Sequence, residues 1–94
     1  MNTPEQTMNK QEQMQAQQTA VAEFQFAMLK RLQGKTSMGA TGWDDPEEVP
    51  DEELWKDVMM DVVLAKNGGE NKHVDIANRI MFLWYRKRKR ELGL

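Results

Sequence analysis

The sequence predicts an all-α fold in which a long N-terminal helix precedes an antiparallel helical hairpin. The 94 residues are rich in Met, Gln, Glu and Lys, which favour helices, and include only six Gly and three Pro. Most of these glycines and prolines fall in segments 34–50 and 67–69, so they separate three uninterrupted stretches. We find no alternating apolar run and no tight-turn signal that would indicate a β-hairpin.

The composition limits the class of protein. The formal net charge is −2. Because the chain has no cysteine, a disulfide framework and a thiolate site are excluded. No stretch reaches the roughly 18 apolar residues of a membrane span. The polar N-terminus lacks the apolar core of a signal peptide. We therefore expect a soluble, cytoplasmic protein.

The first stretch predicts one long helix with a weak beginning. Thr3-Pro4-Glu5-Gln6 has the pattern of a capping box, and Gly34 stands where a left-handed C-cap would follow a helix ending at Gln33. Residues 1–16 are Gln-rich and carry no apolar stripe, so we expect a flexible or frayed segment there. Residues 17–94 form the single predicted all-α domain.

The second half of this helix carries an apolar stripe. Val21, Phe24 and Met28 repeat at helical spacing, and Leu32 continues the repeat. Arg31 is expected to face away from the stripe. This pattern predicts a core helix that contacts more than one neighbour.

The connector after the first helix contains one large aromatic residue, Trp43, flanked by Gly and Asp. This setting predicts a loop side chain that plugs the helical core. The alternative is an exposed anchor, in which case Trp43, Phe24 and Met28 would bind a protein partner.

The remaining two stretches predict a helical hairpin. Acidic residues open helix two near Asp51, as the helix dipole favours, and Asn67-Gly68-Gly69 ends it after Lys66. Helix three begins near Lys72 and continues without Gly or Pro almost to the C-terminus. Apolar residues occupy about half of helix two, which is more than three short helices can bury among themselves. The sequence therefore predicts that a homo-oligomer completes the helical bundle.

Helix three has two contrasting flanks. Ile80, Leu83 and Trp84 belong to a broad apolar flank, which we expect to be packed. Asp75 and Asn78 lie one turn apart on a polar flank, which we expect to hold a site.

The same helix ends in five consecutive cations, which are Arg86, Lys87, Arg88, Lys89 and Arg90. In an antiparallel hairpin they would lie beside the acidic residues of segment 44–53, so we interpret the run as structural. Contacts of these five residues with nucleic-acid phosphates, or with an acidic protein, remain alternatives.

Several oxygen-bearing side chains are predicted to converge across the hairpin. Asp57 and Asp61 lie on helix two, and Asp75 and Asn78 lie on helix three. Carboxylate and amide oxygens suit Mg²⁺. Arg79 lies four residues after Asp75, so a plain salt bridge is the competing interpretation.

The order of short motifs resembles that of small MazG-like nucleotide pyrophosphohydrolases, especially their compact phage versions. The motifs are Phe24-x-x-x-Met28, Gly42-Trp43, an acidic helix, and Asp75-Ile76-Ala77-Asn78 followed by Met81. The resemblance implies an all-α fold assembled as dimers or tetramers of helical hairpins. It also implies Mg²⁺-dependent cleavage of nucleoside triphosphates to monophosphate and pyrophosphate, in the host cytoplasm if the protein is phage-encoded.

The resemblance also indicates a degenerate metal motif. The family's Glu-x-x-Glu pair falls on Val58 and Asp61, and its Glu-x-x-Asp pair falls on Lys72 and Asp75. Only two of the four acids remain, and Asp57 restores one at a different angle on its helix. Mg²⁺ should therefore bind poorly.

The leading hypothesis is a catalytically degenerate MazG-like protein that works as an oligomer. It would bind a nucleotide through Asp75, Asn78 and Arg79, or it would bind a protein partner. The first alternative is an active Mg²⁺-dependent nucleoside triphosphate pyrophosphohydrolase with Asp57, Asp61 and Asp75 as metal ligands. The second is a small nucleic-acid-binding protein that uses the basic run.

Overall fold

The computed structural model describes residues 8–94, and these form three helices. They are α1 (Lys10–Ser37), α2 (Asp51–Lys66) and α3 (Lys72–Glu91). The predicted all-α class, with a long N-terminal helix followed by a helical pair, is confirmed. None of the helices in the described part of the chain is both long and apolar enough to cross a membrane.

Helices α2 and α3 pack on each other, and α3 also packs on α1. Ion pairs at the two ends of the hairpin fix its direction. Arg86 near the end of α3 bonds Asp51 at the start of α2. Lys72 at the start of α3 lies beside Asp61 in the second half of α2. The pair is therefore antiparallel, and α3 is the helix that both others contact.

Helix α1 begins at Lys10 with its own cap. The Asn9 side chain accepts a hydrogen bond from the Glu12 N–H at 2.8 Å and donates one to the Glu12 carboxylate at 2.7 Å. The segment 1–16, expected to be frayed, is thus helical from Lys10 onward. The predicted capping box at Thr3-Pro4-Glu5-Gln6 lies outside the described residues.

The predicted C-terminus of the first helix is wrong by one turn. Gly34 lies inside α1, which ends at Ser37. The left-handed residue is Gly39, with φ 93°. Its N–H donates to the Thr36 carbonyl and the next N–H, of Ala40, donates to the Lys35 carbonyl, both at 3.0 Å. These two hydrogen bonds form a Schellman motif, which ends the helix just before Gly39.

Helix α1 is not the core helix that its stripe predicts, since none of its residues is buried in the single chain. It meets α3 only through its C-terminal part, where Met28, Arg31, Leu32 and Lys35 are half-buried. The preceding turns have no packing neighbour on another described helix, and Val21 is exposed.

The buried core is small and lies in the hairpin, at Leu54 and Val58 of α2 and Leu83 of α3. The polar flank of α3 is buried too, while Ile80 and Trp84 on its apolar flank stay exposed. The expectation that the apolar flank would be packed is thus met only in part. The polar flank is buried because α1 and the connector supply charged and carbonyl partners to its side chains.

Candidate functional site

Asp75 is the buried carboxylate at the centre of the site. It lies in the first turn of α3 and is 2% exposed. Arg31 of α1 donates two hydrogen bonds to it, from Nε to Oδ1 at 2.9 Å and from Nη2 to Oδ2 at 3.2 Å. Lys35 Nζ lies 3.4 Å from Oδ1. Two cations of α1 are therefore held by one acid of α3.

The ion pairs decide the charge of this carboxylate. Burial alone would raise the pKa of Asp75, because it disfavours the charged form. The Arg31 hydrogen bonds and the charges of Lys35 and Arg31 outweigh burial and lower the pKa from 3.8 to about 2. The hydrogen bonds to Asp75 in turn raise the pKa of Arg31. Asp75 is thus a fixed anion at neutral pH and is poorly suited to general acid–base catalysis.

A second ion-pair group lies between α2 and α3. Arg79 of α3 donates a hydrogen bond to the buried Asp61 carboxylate and lies 3.9 Å from Asp57 Oδ2. Lys72 Nζ lies 3.7 Å from Asp61 Oδ1 and 3.5 Å from Asp75 Oδ2. A lysine ammonium therefore bridges the two buried carboxylates.

One predicted orientation is wrong, and one alternative ion pair is not formed. Arg31 does not face away from the core, because the buried Asp75 offers its planar guanidinium a two-point acceptor. Arg79 does not pair with Asp75 one turn earlier, because it reaches Asp61 on the neighbouring helix. Lys35 was missed as a site residue. Its spacing of four from Arg31 was the available signal, since that places both cations on one side of α1.

Asn78 links α1 to α3. Its Nδ2 donates a hydrogen bond to the Met28 carbonyl at 3.3 Å. Its Oδ1 is buried and has no hydrogen-bond partner among residues 8–94. The amide one turn after Asp75 therefore lies in the same polar interface, with unused acceptor capacity.

A cavity of about 230 Å³ adjoins these groups. Its walls come from the end of α1, the connector, α2 and α3. The predicted nucleotide-binding residues Asp75, Asn78 and Arg79 all line it, and Lys35 joins them. The remaining lining residues are Leu32, Thr36, Ala40, Thr41, Trp43, Val49, Leu54, Asp57 and Phe82. A cavity with cations and an amide on its walls and aromatic rings nearby is suited to a planar or anionic ligand.

The donor set does not fit Mg²⁺. The three predicted ligands, Asp57, Asp61 and Asp75, already have cationic partners, and Lys72 lies between Asp61 and Asp75. Mg²⁺ requires near-octahedral oxygen ligands, and a neighbouring ammonium repels it. Across the described residues, no cluster of three or more acidic, His or Cys side chains is placed to hold a metal ion.

Arg86 forms a different kind of centre, outside the cavity. It is 2% exposed and donates to the carbonyls of Gly42, Trp43 and Val49 at 3.0, 3.0 and 2.7 Å. It also bonds Asp51 Oδ1 at 2.8 Å. The guanidinium thus fastens the connector to the hairpin.

Trp43 belongs to the connector and lines the cavity. Its ring packs on Phe82 and Tyr85, each with a centroid distance of 5.3 Å, yet the residue is 41% exposed. The predicted plug is therefore partial. Phe24 is also exposed and Met28 is half-buried on α1.

Lys87, Arg88 and Arg90 of the basic run are exposed, and Lys89 is half-buried. The predicted pairing with the acids before and within α2 is confirmed at Asp51. Both Arg86 and Arg90 pair with this carboxylate, and Arg90 Nη1 lies 3.5 Å from Asp51 Oδ2. Lys87 pairs with Glu91 of its own helix at 3.9 Å. Arg88 and Lys89 each lie 5.7 Å from an aromatic centroid, of Trp84 and Tyr85 respectively.

Comparisons of the chain with models of protein families, with curated proteins and with solved structures give no significant match.

Proposed function

We propose that this chain is a MazG-like helical protein that binds a nucleotide without metal-dependent catalysis and works as a homo-oligomer. The observation that carries the proposal is the Lys72 ammonium between Asp61 and Asp75, where the resemblance would put a metal ion. With this internal cation, the cluster needs no divalent ion to neutralise its acids. Asp75, whose pKa is lowered to about 2, is too weak a base to accept a proton efficiently at neutral pH.

The cavity supports a nucleotide as the ligand. Lys35 and Arg79 are cations on its wall that can approach a phosphate group. Trp43 and Phe82 offer aromatic surface for a base, and such stacking contributes about 1 to 3 kcal/mol. The volume of about 230 Å³ is below the roughly 300 to 1,000 Å³ of drug-sized sites, so one part of a nucleotide would enter it.

The test is calorimetric titration with nucleoside mono- and triphosphates, with and without Mg²⁺, alongside an assay for released pyrophosphate. We expect binding that does not depend on Mg²⁺, and no pyrophosphate. Lys35→Ala should weaken binding about tenfold, which corresponds to one charged contact of about 1.4 kcal/mol. Lys30→Ala is the matched control, since Lys30 lies exposed on the same helix and does not line the cavity.

Two outcomes would overturn this proposal. Pyrophosphate release with Mg²⁺ that Asp75→Asn abolishes would establish the enzyme alternative. Equal losses of affinity in Lys35→Ala and Lys30→Ala would indicate general charge attraction and no specific site.

Unpartnered apolar surface supports the oligomer. Large apolar residues are exposed on every helix, among them Phe26 of α1, Trp55 and Met59 of α2, and Trp84 of α3. Contiguous apolar patches on a protein surface commonly mark protein–protein contacts.

Nucleic-acid binding is less well supported. Arg86 is directed inward, and Arg90 shares Asp51 with it. Among residues 8–94, the three cations from Lys87 to Lys89 have no acidic partner on another helix. Few phosphate contacts give weak binding with a shallow salt dependence.

A further inference from the structure

One side of α2 is an exposed apolar stripe. Trp55, Met59 and Val63 are 51%, 67% and 55% exposed, and Val62 lies beside them. At about 100° per residue, these four side chains lie within about 60° of the Met59 direction. The buried residues of α2 lie about 100° or more from that direction, toward α3. The stripe is therefore a second face of α2 that the single chain leaves uncovered.

Helix α3 extends this surface. A groove of about 340 Å³ is lined by Trp55 together with Ile80 and Trp84, both exposed on α3. The stripe and the exposed part of the α3 flank therefore form one continuous patch with two tryptophans. Aromatic residues of this kind are enriched at protein–protein interfaces.

The two ends of the stripe carry opposite charges. Glu52 and Lys66 are exposed, and each lies seven residues from Met59, on opposite sides. Both point within about 20° of the Met59 direction. Along the helix, the stripe thus begins with an acid at Glu52, continues with apolar residues centred on Met59, and ends with a cation at Lys66.

We propose that a second copy of this chain covers the patch, with the two α2 helices antiparallel across a two-fold axis at Met59. In this arrangement, residues equally distant from Met59 face each other. Glu52 then meets Lys66 of the partner subunit at both ends, and Trp55 packs near Val63 of the partner subunit. A parallel pairing would place like charges opposite each other, which is unfavourable.

This inference rests on the proposal that the chain is a homo-oligomer, and it does not depend on the ligand. The sedimentation of the wild type tests the homo-oligomer, the contrast between Met59→Glu and Met60→Glu tests this particular interface, and titration tests nucleotide binding, so the three failures are distinguishable.

The first experiment compares two neighbouring methionines by sedimentation velocity over a concentration series. Met59→Glu places two carboxylates together at the axis and should weaken dimerisation about 100-fold or more. Met60→Glu makes the same change on the same helix, at a residue 59% exposed but about 100° away, and should leave the dimer intact. Circular dichroism checks that both variants remain helical. A wild-type monomer at submillimolar concentration, a Met59→Glu dimer or a Met60→Glu monomer would each overturn the proposal.

The second experiment uses the absence of cysteine from the chain. Met59→Cys lies next to its own copy at the axis and should form a covalent dimer on mild oxidation. Glu52→Cys should not, because the two copies of residue 52 would lie about 21 Å apart along the helices. Mixing Glu52→Cys with Lys66→Cys should restore cross-linking between the two variants. Efficient self-cross-linking of Glu52→Cys would contradict the antiparallel arrangement.

Discussion

Arg86 and Asp75 are both buried ions, each 2% exposed, but their surroundings differ. Arg86 donates to three backbone carbonyls and one carboxylate, and the carbonyls belong to a connector with few other ties to the hairpin. Asp75 accepts from the long side chains of Arg31, Lys35 and Lys72, and each of these cations is about one-third exposed.

The difference indicates which cluster can bind something else. Backbone acceptors cannot move away, so the Arg86 centre has one arrangement and serves the fold. Flexible cations at the edge of a cavity can exchange one anion for another, at the cost of rearranging side chains and not of unfolding. The Asp75 cluster is therefore the better candidate for a ligand site.

The largest expected effect is at the rigid centre. Arg86→Ala leaves buried carbonyls and Asp51 without their donor, and should lower the free energy of unfolding by about 3 to 5 kcal/mol. Urea denaturation measures it. Arg88→Ala, at an exposed neighbour above Trp84, should cost about 1 kcal/mol or less. Equal effects at the two arginines would remove the distinction between the centres.

The same centre predicts a difference between two glycines. Gly42 has a φ of 87°, and its carbonyl accepts a hydrogen bond from Arg86. A Cβ on Gly42 would lie 2.9 Å from Val49 Cγ2. Gly39, with φ 93°, has open space around it. Gly39→Ala should cost about 1 kcal/mol from backbone strain alone, and Gly42→Ala about 2 to 3 kcal/mol. Thermal unfolding tests the difference, and equal costs would mean that the connector is not closely packed.

The Asp75 cluster predicts a pH dependence. The pKa of Asp75 is about 2, below its usual 3.8, so its stabilising effect is complete above pH 3.8 and is lost as the pH falls toward 2. The loss should be about 2 kcal/mol. Asp75→Asn should be less stable at neutral pH by about this amount and should lack the loss below pH 4. Asp44→Asn in the exposed connector should keep the wild-type profile, and a profile unchanged in Asp75→Asn would show that the ion pairs contribute nothing.

The number and order of the helices could be predicted from the sequence, because the signals for a helix are local. The acidic first turn of α2, the Asn67-Gly68-Gly69 turn and the spacing of Asp75 and Asn78 each depend on neighbours in the chain. The position of the basic run beside the acids of segment 44–53 followed from the antiparallel hairpin, which its short linker indicated.

The partners of Asp75 could not be predicted, because Arg31 and Lys35 come from a helix whose placement is not encoded locally. The contact between Arg31 and Asp75 spans 44 positions of sequence. The apolar stripe of α1 indicated burial, yet burial depends on a neighbour that the single chain does not supply to its first turns. The connector carbonyls bound by Arg86 could likewise not be predicted, because every residue carries a backbone carbonyl whatever its side chain.

The smallest expected effect tests whether Lys72 takes the place of a metal ion. Lys72→Glu removes the ammonium between Asp61 and Asp75 and restores a Glu-x-x-Asp pair. The variant should gain a weak Mg²⁺ site, and millimolar Mg²⁺ should then stabilise it by under about 1 kcal/mol, which is a small rise in Tm. Lys56→Glu makes the same charge change at an exposed position of α2 and should gain nothing. A Mg²⁺-dependent rise in the wild type, or an equal rise in Lys56→Glu, would mean that the lysine does not exclude the ion and that the two buried carboxylates remain open to a metal.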